Sequence, residues 1–304
     1  MQDFKLLQNP ISKKWIILAP RRANRPDVAK GAEPICPFCL GKERSEKEVY
    51  RVGGKAGDSN WQIRVIPNKF PFAPIHEIII HSGDHHKNFG ELPLNQVELI
   101  FKTYRQRYNI HQSKGQVYIF HNRGESGGES LPHPHTQLAV VPNEVKMDMP
   151  RLATNEELKM LSQAQPDQHD KIQQETKHFI LFCPKTSQWP DEVWIAPKKR
   201  GRGYNEITDE EIVDLSYIVT RVVGIFNLRH GYEFPFNFYI YPGGDWYLRI
   251  IPRAKVLGGF EIGTGIFINT QDPMETIMFI KEHFESPNKE KIMTHHRAEY
   301  RKGV

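Results

Sequence analysis

Short runs of apolar residues predict strands along this chain, and two longer stretches have the apolar period of a helix. The strand-like runs His76–Ile80 and Asp191–Ile195 are each followed by a helical stretch, near Gln96–Tyr108 and near Asp209–Phe226. Corresponding positions lie 115 residues apart through strand, loop and helix. The pattern therefore predicts one unit that occurs twice.

Each predicted helix is followed by an aromatic strand, a glycine turn and a further strand that ends in proline. These strands are Gln116–His121 and Leu138–Pro142 in the first copy, and Asn237–Tyr241 and Trp246–Pro252 in the second. The order strand–helix–strand–strand predicts an α+β fold on a mainly antiparallel sheet. We expect the polar segment 146–177 to connect the copies and the charged tail after Pro287 to form a surface helix.

A strand-like segment of the first copy carries two imidazoles. If residues 133–137 are extended, His133, His135 and Gln137 point to the same side, because side chains alternate along a strand. Imidazole suits metal binding and nucleophilic chemistry near neutral pH. The glycine-rich segment 124–130 before it would let backbone approach an anionic ligand closely. The matching strand of the second copy contains no histidine, so only the first copy is predicted to be active.

The composition is that of an ordinary globular protein with a real core, since 38% of the 304 residues are hydrophobic and 25% are charged. No run of about 18 apolar residues is present, and Met1–Lys5 lack the profile of a signal peptide. We therefore expect a cytoplasmic protein without membrane association. The net charge of +5 is modest and no long Lys/Arg block occurs, which argues against nucleic acid and suits a phosphorylated small molecule.

Two of the three cysteines form the pair Cys36-x-x-Cys39, whose spacing lets both thiolates bind one tetrahedral zinc ion. Histidines would complete the ligand set, and the candidates are His76, His81, His85, His86, His111, His121, His133 and His135. A redox pair and two buried thiols remain open as alternatives, although no thioredoxin-like context surrounds the pair. We expect Cys183 to be a buried thiol.

Two further segments could contact a nucleotide. Arg21–Pro26 follows a strand-like run, and arginine makes bidentate contacts with phosphate. Asn68–Phe72 has an amide beside aromatic rings, which suits a base or a ribose. Taken alone, each segment is also typical of a solvent-exposed turn.

Together these motifs stand in a characteristic order. It runs from Cys-x-x-Cys through Asn68-x-Phe, Asp84-His-His-Lys and Asn122-x-Gly to Ser130-x-x-His-Pro-His-x-Gln. In this order the chain resembles the galactose-1-phosphate uridylyltransferase family, the nucleotidyltransferase branch of the histidine-triad superfamily. The early arginine motif at 20–26 and the late segment Lys255–Glu261 extend the resemblance over most of the chain.

The resemblance implies two histidine-triad-like α+β units. The first, residues 1–150, would be catalytic and hold the zinc, and the second, residues 151–304, would be degenerate and lack the active histidines. One structural zinc ion would be held by Cys36, Cys39, His85 and His133. His85 is preferred to His86 because it follows Asp84 in the matching Asp-His-x-Lys.

The resemblance also implies roles in the reaction. His135 would be the nucleophile and Gln137 its partner on the phosphoryl oxygen. Arg22, Arg25, Asn68, Asn122 and Ser130 would hold the nucleotide. Lys255 and Glu261 would face the sugar phosphate, from the opposite subunit of a homodimer.

One departure from the family concerns a second metal. Many members bind it through a glutamate shortly after the His-Pro-His strand and through histidines of the second half. Here Tyr247 and Arg249 stand in the matching strand, and Asp148 stands near the glutamate position. We therefore expect no second metal site, which moves the chain towards the divergent members of the family.

The expected reaction is nucleotidyl transfer with ping-pong kinetics, in which His135 attacks the α-phosphorus of a nucleotide sugar and an acceptor phosphate then takes the nucleotide. Because an amide cannot act as a general acid, Gln137 favours transfer over hydrolysis. The leading prediction is a UDP-glucose–hexose-1-phosphate (galactose-1-phosphate) uridylyltransferase. Two alternatives stay open: a phosphorylase of the ADP-glucose type with inorganic phosphate as acceptor, and a zinc-stabilised nucleotide-binding module without turnover.

Overall fold

The computed structural model describes residues 4–25, 36–152, 156–158, 173–231 and 234–293. Much of the predicted connecting segment and the end of the charged tail lie outside these residues. Within the described ranges, no helix is long and apolar enough to cross a membrane.

Ten of the described strands form one large sheet in which all neighbouring strands are antiparallel. In chain order the strands are β1 (Lys5–Gln8), β2 (Trp15–Leu18), β3 (Tyr50–Val52), β4 (Ile63–Pro67), β5 (Ile75–Ile80), β6 (Gln116–Arg123), β7 (His135–Val141), β8 (Gln173–Glu175), β9 (Phe179–Phe182), β10 (Val193–Pro197), β11 (Phe236–Ile240) and β12 (Leu248–Pro252). The sheet has the order β3-β4-β5-β7-β6-β11-β12-β10-β9-β8, while β1 and β2 form a separate hairpin.

Two long helices cover one face of the sheet. Four helices are labelled, α1 (Leu94–His111), α2 (Asp209–His230), α3 (Gly259–Thr264) and α4 (Pro273–His283), and residues 156–158 and 289–293 are also helical. Helix α2 begins with a capping box, in which the Thr208 hydroxyl accepts from the Glu211 N–H and the Glu211 carboxylate accepts from the Thr208 N–H. The buried sides of α1 and α2 contact each other and pack on the sheet in the main apolar core.

The opposite face of the sheet carries Ile78, Gln137, Phe120, Tyr239 and Arg249, and is called the site face below. The strand register connects these residues in a row, since Gln137 is opposite both Ile78 and Phe120, and Tyr239 is opposite both Phe120 and Arg249. Because neighbours in register project to the same side of a sheet, all five share one face.

The predicted α+β fold is confirmed, and the two halves have corresponding places in the sheet. The first half runs β5-α1-β6-β7 and the second β10-α2-β11-β12. Strand β7 lies between β5 and β6, and β12 lies between β10 and β11. Strands β6 and β11 pair at the centre, where Asn122 stands opposite Asn237.

The offset of 115 residues was predicted for the first strand, the loop and the helix of each copy, and it does not extend to β12. The helices begin at Leu94 and Asp209, as the repeat predicts. A constant offset would map the pair Ile78–Gln137 onto Val193 and Pro252, but Val193 pairs with Ile250. The loops differ in length between the halves, because residues 124–134 connect β6 to β7 and only 241–247 connect β11 to β12.

Strand β7 begins earlier than predicted, at His135 instead of Leu138, while β12 begins later, at Leu248 instead of Trp246. His135 and Gln137 share the site face, as the alternation predicts. His133 lies in the loop before the strand, and this loop brings it to the cysteine pair.

Candidate active site and metal centre

Four predicted metal ligands converge beside the start of β7. The thiol sulfurs of Cys36 and Cys39 and one ring nitrogen each of His85 and His133 all lie within 4.8 Å of one another. Cys39 Sγ is 3.1 Å from His85 Nδ1 and 3.7 Å from His133 Nδ1. Tetrahedral zinc, with bonds of about 2.0–2.3 Å, separates its ligands by about 3.3–3.8 Å, so this group could bind one metal ion. His86 does not belong to the group.

The surroundings of the group suit a divalent cation. The Nε2–H of His133 donates to the Ser82 carbonyl at 2.9 Å, which leaves Nδ1 bare on the side of the thiols. Burial lowers the pKa of His133 to about 4, so its ring is neutral. Burial raises the pKa of the Cys36 thiol to about 11, so a thiolate there needs a bound cation to stabilise it.

His135 is buried, and hydrogen bonds fix both its ring and its backbone. Its Nδ1–H donates to the His133 carbonyl at 2.8 Å, and its own carbonyl accepts from His121 Nδ1 at 2.9 Å. The Phe38 ring packs against the imidazole with the ring centroids 5.3 Å apart. Burial lowers the pKa of His135 to about 4. The ring is therefore neutral, and Nε2 keeps its lone pair.

A cavity of about 250 Å³ opens at His135. Of the predicted site residues it is lined by Arg25, Asn68, Ser130, His135 and Gln137. The rest of its wall includes the apolar side chains Phe38, Ile66, Phe70, Ile78 and Leu131. Apolar walls with a few convergent polar groups are typical of a small-molecule site.

The glycine-rich loop before β7 is held by its own hydrogen bonds. Gly124 has a φ of 74°, and a Cβ added there would lie 2.8 Å from Pro235, so this position requires glycine. Its N–H donates to Glu129 Oε2 at 2.7 Å. Arg123 donates to the Pro132 carbonyl at 2.6 Å. These contacts fix the loop that presents Ser130 to the cavity.

Two other predicted nucleotide ligands are not among the residues that line the cavity. Arg22 donates to the Phe70 carbonyl at 2.6 Å and lies over the Phe72 ring, 5.0 Å from its centroid. Asn122 accepts from Asn237 Nδ2 at 2.8 Å through its Oδ1. Arg22 is therefore bonded to a residue that lines the cavity, and Asn122 to a residue at the centre of the sheet.

The predicted sugar-phosphate ligands are not brought to the cavity within one chain. Lys255 Nζ and Glu261 Oε1 form an ion pair of 2.6 Å, and Glu261 Oε2 accepts from the Gly258 N–H at 3.1 Å. Neither side chain lines the cavity. The structure thus pairs these two residues with each other.

Arg249 has a buried carboxylate as its partner. Its Nη2 donates to Glu192 Oε2 at 2.8 Å, and its guanidinium lies over the rings of Trp194 and Tyr239. Although burial opposes the charge, Glu192 raises the pKa of Arg249 above its usual value. The Tyr247 hydroxyl donates to the Pro150 carbonyl at 2.8 Å. In this part of the site face, the cation is therefore the Arg249 guanidinium, which is paired with Glu192.

Sequence reasoning missed three contributors to the site. His76 had been considered only as a metal ligand, but its Nε2 lies 2.9 Å from Gln137 Oε1. The Ser82 carbonyl orients His133 and leaves no trace in a sequence. Asn237 contacts Asn122 across the centre of the sheet, and the 115-residue separation of the two would have revealed it.

Known proteins match this chain both in sequence and in structure. Residues 75–141 match the family model of the galactose-1-phosphate uridyl transferase N-terminal domain. An Arabidopsis thaliana ADP-glucose phosphorylase is 28% identical over 92% of this chain and 93% of its own length. A Thermotoga maritima galactose-1-phosphate uridylyltransferase is 25% identical over 91% of this chain and 98% of its own length. The solved structure of an Arabidopsis ADP-glucose phosphorylase with bound ADP-glucose covers 92% of this chain and 99% of that one, with 25% identity and a TM-score of 0.69.

The fold, the site and these relatives define an enzyme class of nucleotidyltransferases and phosphorylases. Within that class, the resemblance of this chain to the galactose-1-phosphate uridylyltransferase family is confirmed.

Proposed function

We propose that this protein transfers a nucleotidyl group from a nucleotide sugar to an acceptor phosphate through a covalent nucleotidyl-His135 intermediate. The observation that carries the proposal is the neutral His135 ring at the wall of the cavity, with Nδ1–H bound to the His133 carbonyl at 2.8 Å. A nucleophilic imidazole needs this tautomer, because only the nitrogen without a proton can attack.

The two half-reactions balance without a further reagent. The His135 Nε2 lone pair forms a bond to the α-phosphorus while the bond from phosphorus to the bridging oxygen breaks, and the sugar 1-phosphate leaves with that electron pair. An oxygen of the acceptor phosphate then attacks the same phosphorus, and the nitrogen–phosphorus bond breaks. Gln137 would donate a hydrogen bond to a phosphoryl oxygen in both steps, which lowers the barrier without protonating the leaving group.

The remaining site residues would bind and orient the substrate. Arg22 and Arg25 would offset phosphate charge, while Asn68, Asn122 and Ser130 would hold the nucleoside and phosphate oxygens. Lys255 and Glu261, which do not line the cavity of their own chain, would face the sugar phosphate of the partner subunit in a homodimer. Residues 1–150 would form the catalytic unit and 151–304 the supporting unit.

The metal site would be structural. Cys36, Cys39, His85 and His133 would hold one zinc ion, whose role is to fix the cysteine loop against the loop that precedes β7. Since His133 supplies the carbonyl that binds His135, the position of the nucleophile depends on this loop.

Two acceptors remain candidates. The motif order supports a hexose 1-phosphate acceptor and a uridylyl group, as in the galactose-1-phosphate uridylyltransferases. A specific observation favours a second candidate, a phosphorylase with inorganic phosphate as acceptor and an adenylyl group: the ADP-glucose phosphorylase relative is 28% identical over nearly the whole chain. Both candidates share the same first half-reaction.

The test is intact-mass measurement after incubation with UDP-glucose or ADP-glucose in the absence of an acceptor. We expect a nucleotidyl adduct on the wild-type protein, formed at least about a thousandfold more slowly in His135→Asn. His178→Asn, a half-buried histidine of the second half, is the matched control and should form the adduct at the wild-type rate. Absence of an adduct with every nucleotide sugar tested would overturn the proposal.

The isolated adduct then distinguishes the acceptors. Release of nucleotide sugar on addition of galactose 1-phosphate would identify the transferase. Release of a nucleoside diphosphate on addition of inorganic phosphate would identify the phosphorylase. The mass of the adduct separately identifies the nucleotide as uridylyl or adenylyl.

A further inference from the structure

The carboxamide of Gln137 is held at its oxygen by two side chains from neighbouring segments. His76 Nε2 lies 2.9 Å and Asn68 Nδ2 lies 3.4 Å from Gln137 Oε1. Within the described part of the chain, no protein group accepts from the amide nitrogen of Gln137, and its side chain lines the cavity. The orientation of His76 and Asn68 therefore determines whether the oxygen or the nitrogen of the Gln137 carboxamide faces the cavity.

The protonation of His76 is determined by a backbone donor. The Phe72 N–H donates to His76 Nδ1 at 3.4 Å, and a backbone N–H has no alternative role as acceptor. Nδ1 is therefore bare and the proton of the neutral ring is on Nε2, from which it is donated to Gln137 Oε1. Consistent with a neutral ring, burial lowers the pKa of His76 to about 3.

Asn68 is oriented in the same way. The Phe70 N–H donates to Asn68 Oδ1 at 2.9 Å, so the amide nitrogen of Asn68 is the end that faces Gln137. Nε2 of His76 and Nδ2 of Asn68 are 3.2 Å apart because both are directed at the same acceptor oxygen. Two backbone N–H groups thus fix two side chains, and these fix one carboxamide.

We propose that His76 is a positioning residue, which holds Gln137 by its oxygen so that the amide N–H groups point into the cavity as donors for the phosphoryl oxygen. The inference rests on the proposed function, because the donors have a catalytic role only if a phosphoryl group is transferred there. Without His76 the carboxamide could turn over and present its oxygen to the phosphate, which would repel the developing charge.

A purely structural role is the alternative that the experiment must exclude. The His76 ring packs 4.2 Å from Phe72 and 6.5 Å from Phe120, measured between ring centroids, so its removal could also loosen the fold. His76→Phe keeps an aromatic ring in this stack and removes only the N–H donor and the Nδ1 acceptor. His76→Gln is the matched rescue, since an amide can accept from the Phe72 N–H and donate to Gln137.

The measurement is the rate of adduct formation at saturating nucleotide sugar, together with the substrate concentration that gives half of that rate. Losing one hydrogen bond to the developing charge costs on the order of 10²–10³ in rate. We expect His76→Phe to lower the rate of adduct formation by at least about tenfold. The concentration of nucleotide sugar that gives half of the maximal rate should change little. His76→Gln should recover much of the rate.

A double-mutant cycle with Gln137→Ala separates positioning from structure. If His76 acts through Gln137, then His76→Phe lowers the rate in the wild-type background and has little effect once Gln137 is alanine. A loss of equal size in both backgrounds would overturn the inference, and so would a wild-type rate in His76→Phe. If His76→Phe does not fold, His76→Met replaces it in the same cycle.

Failure of the inference is distinguishable from failure of the proposed function. If the wild-type protein forms no adduct, the proposed function is wrong and the inference falls with it. If the wild-type and His76→Phe proteins form the adduct equally fast, only the role of His76 is wrong.

Discussion

The two halves of the sheet present different chemistry on the same face. In the first half, β7 presents His135 and Gln137 to a cavity of about 250 Å³. In the second half, β12 lies between the corresponding strands but presents Arg249, which is buried and bound to Glu192. The same arrangement of strands and helix therefore carries a histidine at a cavity in one half and a buried ion pair in the other.

The difference lies in what covers the strand. Over β12, a cluster of buried side chains that includes Leu152, Trp189, Trp194 and Tyr247 closes the site face. Over β7, the smaller cluster around Phe38 and Leu131 leaves a cavity beside His135. The repeated strands and helix therefore form a common framework. The segments that pack over the sheet determine whether a cavity forms there.

Of the changes that compare the two halves, removal of the metal should lower the rate of adduct formation most, and it should affect the first half alone. We expect about one zinc ion per chain, lost in Cys36→Ser together with about a hundredfold or more of the rate of adduct formation, because the loop that carries the His133 carbonyl would no longer be fixed. Metal content by mass spectrometry and adduct formation by intact mass measure both changes.

The matched control for this change is Cys183→Ala, which removes a buried thiol outside the four-residue group. It should keep the metal and the adduct. Two metal ions per chain in the wild-type protein would contradict the expectation drawn from Tyr247 and Arg249, and would remove the contrast between the halves.

A change in the second half should lower stability and leave the chemistry intact. Arg249→Met leaves the Glu192 carboxylate without its cation, and breaking a buried pair in this way costs about 3 kcal/mol. Denaturant unfolding should show this loss, while adduct formation below the unfolding transition should match the wild type. Arg221→Met, which removes a guanidinium that lies over the Tyr217 ring on α2, should cost at most about 1 kcal/mol. A hundredfold loss of adduct formation in Arg249→Met would show that the second half takes part in the reaction.

The sequence predicted where most of the candidate site lies because its metal-ligating and imidazole groups are clustered in short motifs. Cys36-x-x-Cys39 and His133-Pro-His135 bring four of the decisive side chains within two segments, and the resemblance identified His85 as the remaining ligand. The structure then brought the four metal ligands within 4.8 Å of one another. The α+β fold followed from the alternation of strand and helix periods in the same way.

Contacts between distant segments were not predictable from the sequence. The register between β10 and β12 depends on loop lengths that the repeat does not preserve, so the 115-residue offset of the first strand and helix does not extend to β12. The role of His76 depends on a single rotamer and on the Phe72 N–H, which the sequence does not encode in any local pattern. The pairing of Lys255 with Glu261 likewise depends on how the loop before α3 folds back.

Both halves contain a buried carboxylate that connects the long helix to the sheet. The pH dependence of stability tests whether both carboxylates stabilise the fold in the same way. In the first half, Glu77 accepts from Arg107 at 2.6 Å and contacts His111 at 2.9 Å, which ties α1 to β5. In the second half, Asp191, just before β10, forms an ion pair of 3.1 Å with Arg229 of α2. Each long helix is thus connected to its sheet by a buried carboxylate.

The smallest expected effect is the acid dependence of the Glu77 contribution. Burial raises the pKa of Glu77, but the hydrogen bonds from His111 and Arg107 outweigh it and hold the pKa below the usual 4.5. A carboxylate with a lowered folded-state pKa stabilises the fold fully above 4.5 and loses this contribution as the pH falls through the folded-state value. The difference in unfolding free energy between wild type and Glu77→Gln should therefore shrink as the pH falls from 7 to 3, by no more than about 2 kcal/mol.

Urea unfolding across this pH range measures the difference, with Glu98→Gln on α1 as the matched control, because Glu98 has no hydrogen-bond or ion-pair partner among the described residues. Asp191→Asn should show the same narrowing, because burial opposes but does not prevent the lowering of the Asp191 pKa by His230 and Arg229. The difference in unfolding free energy from the wild type could stay constant with pH for Glu77→Gln but become smaller at low pH for Asp191→Asn. That result would mean that only the second half is stabilised by the charge of its buried carboxylate. The likeness between the halves would then be limited to their topology.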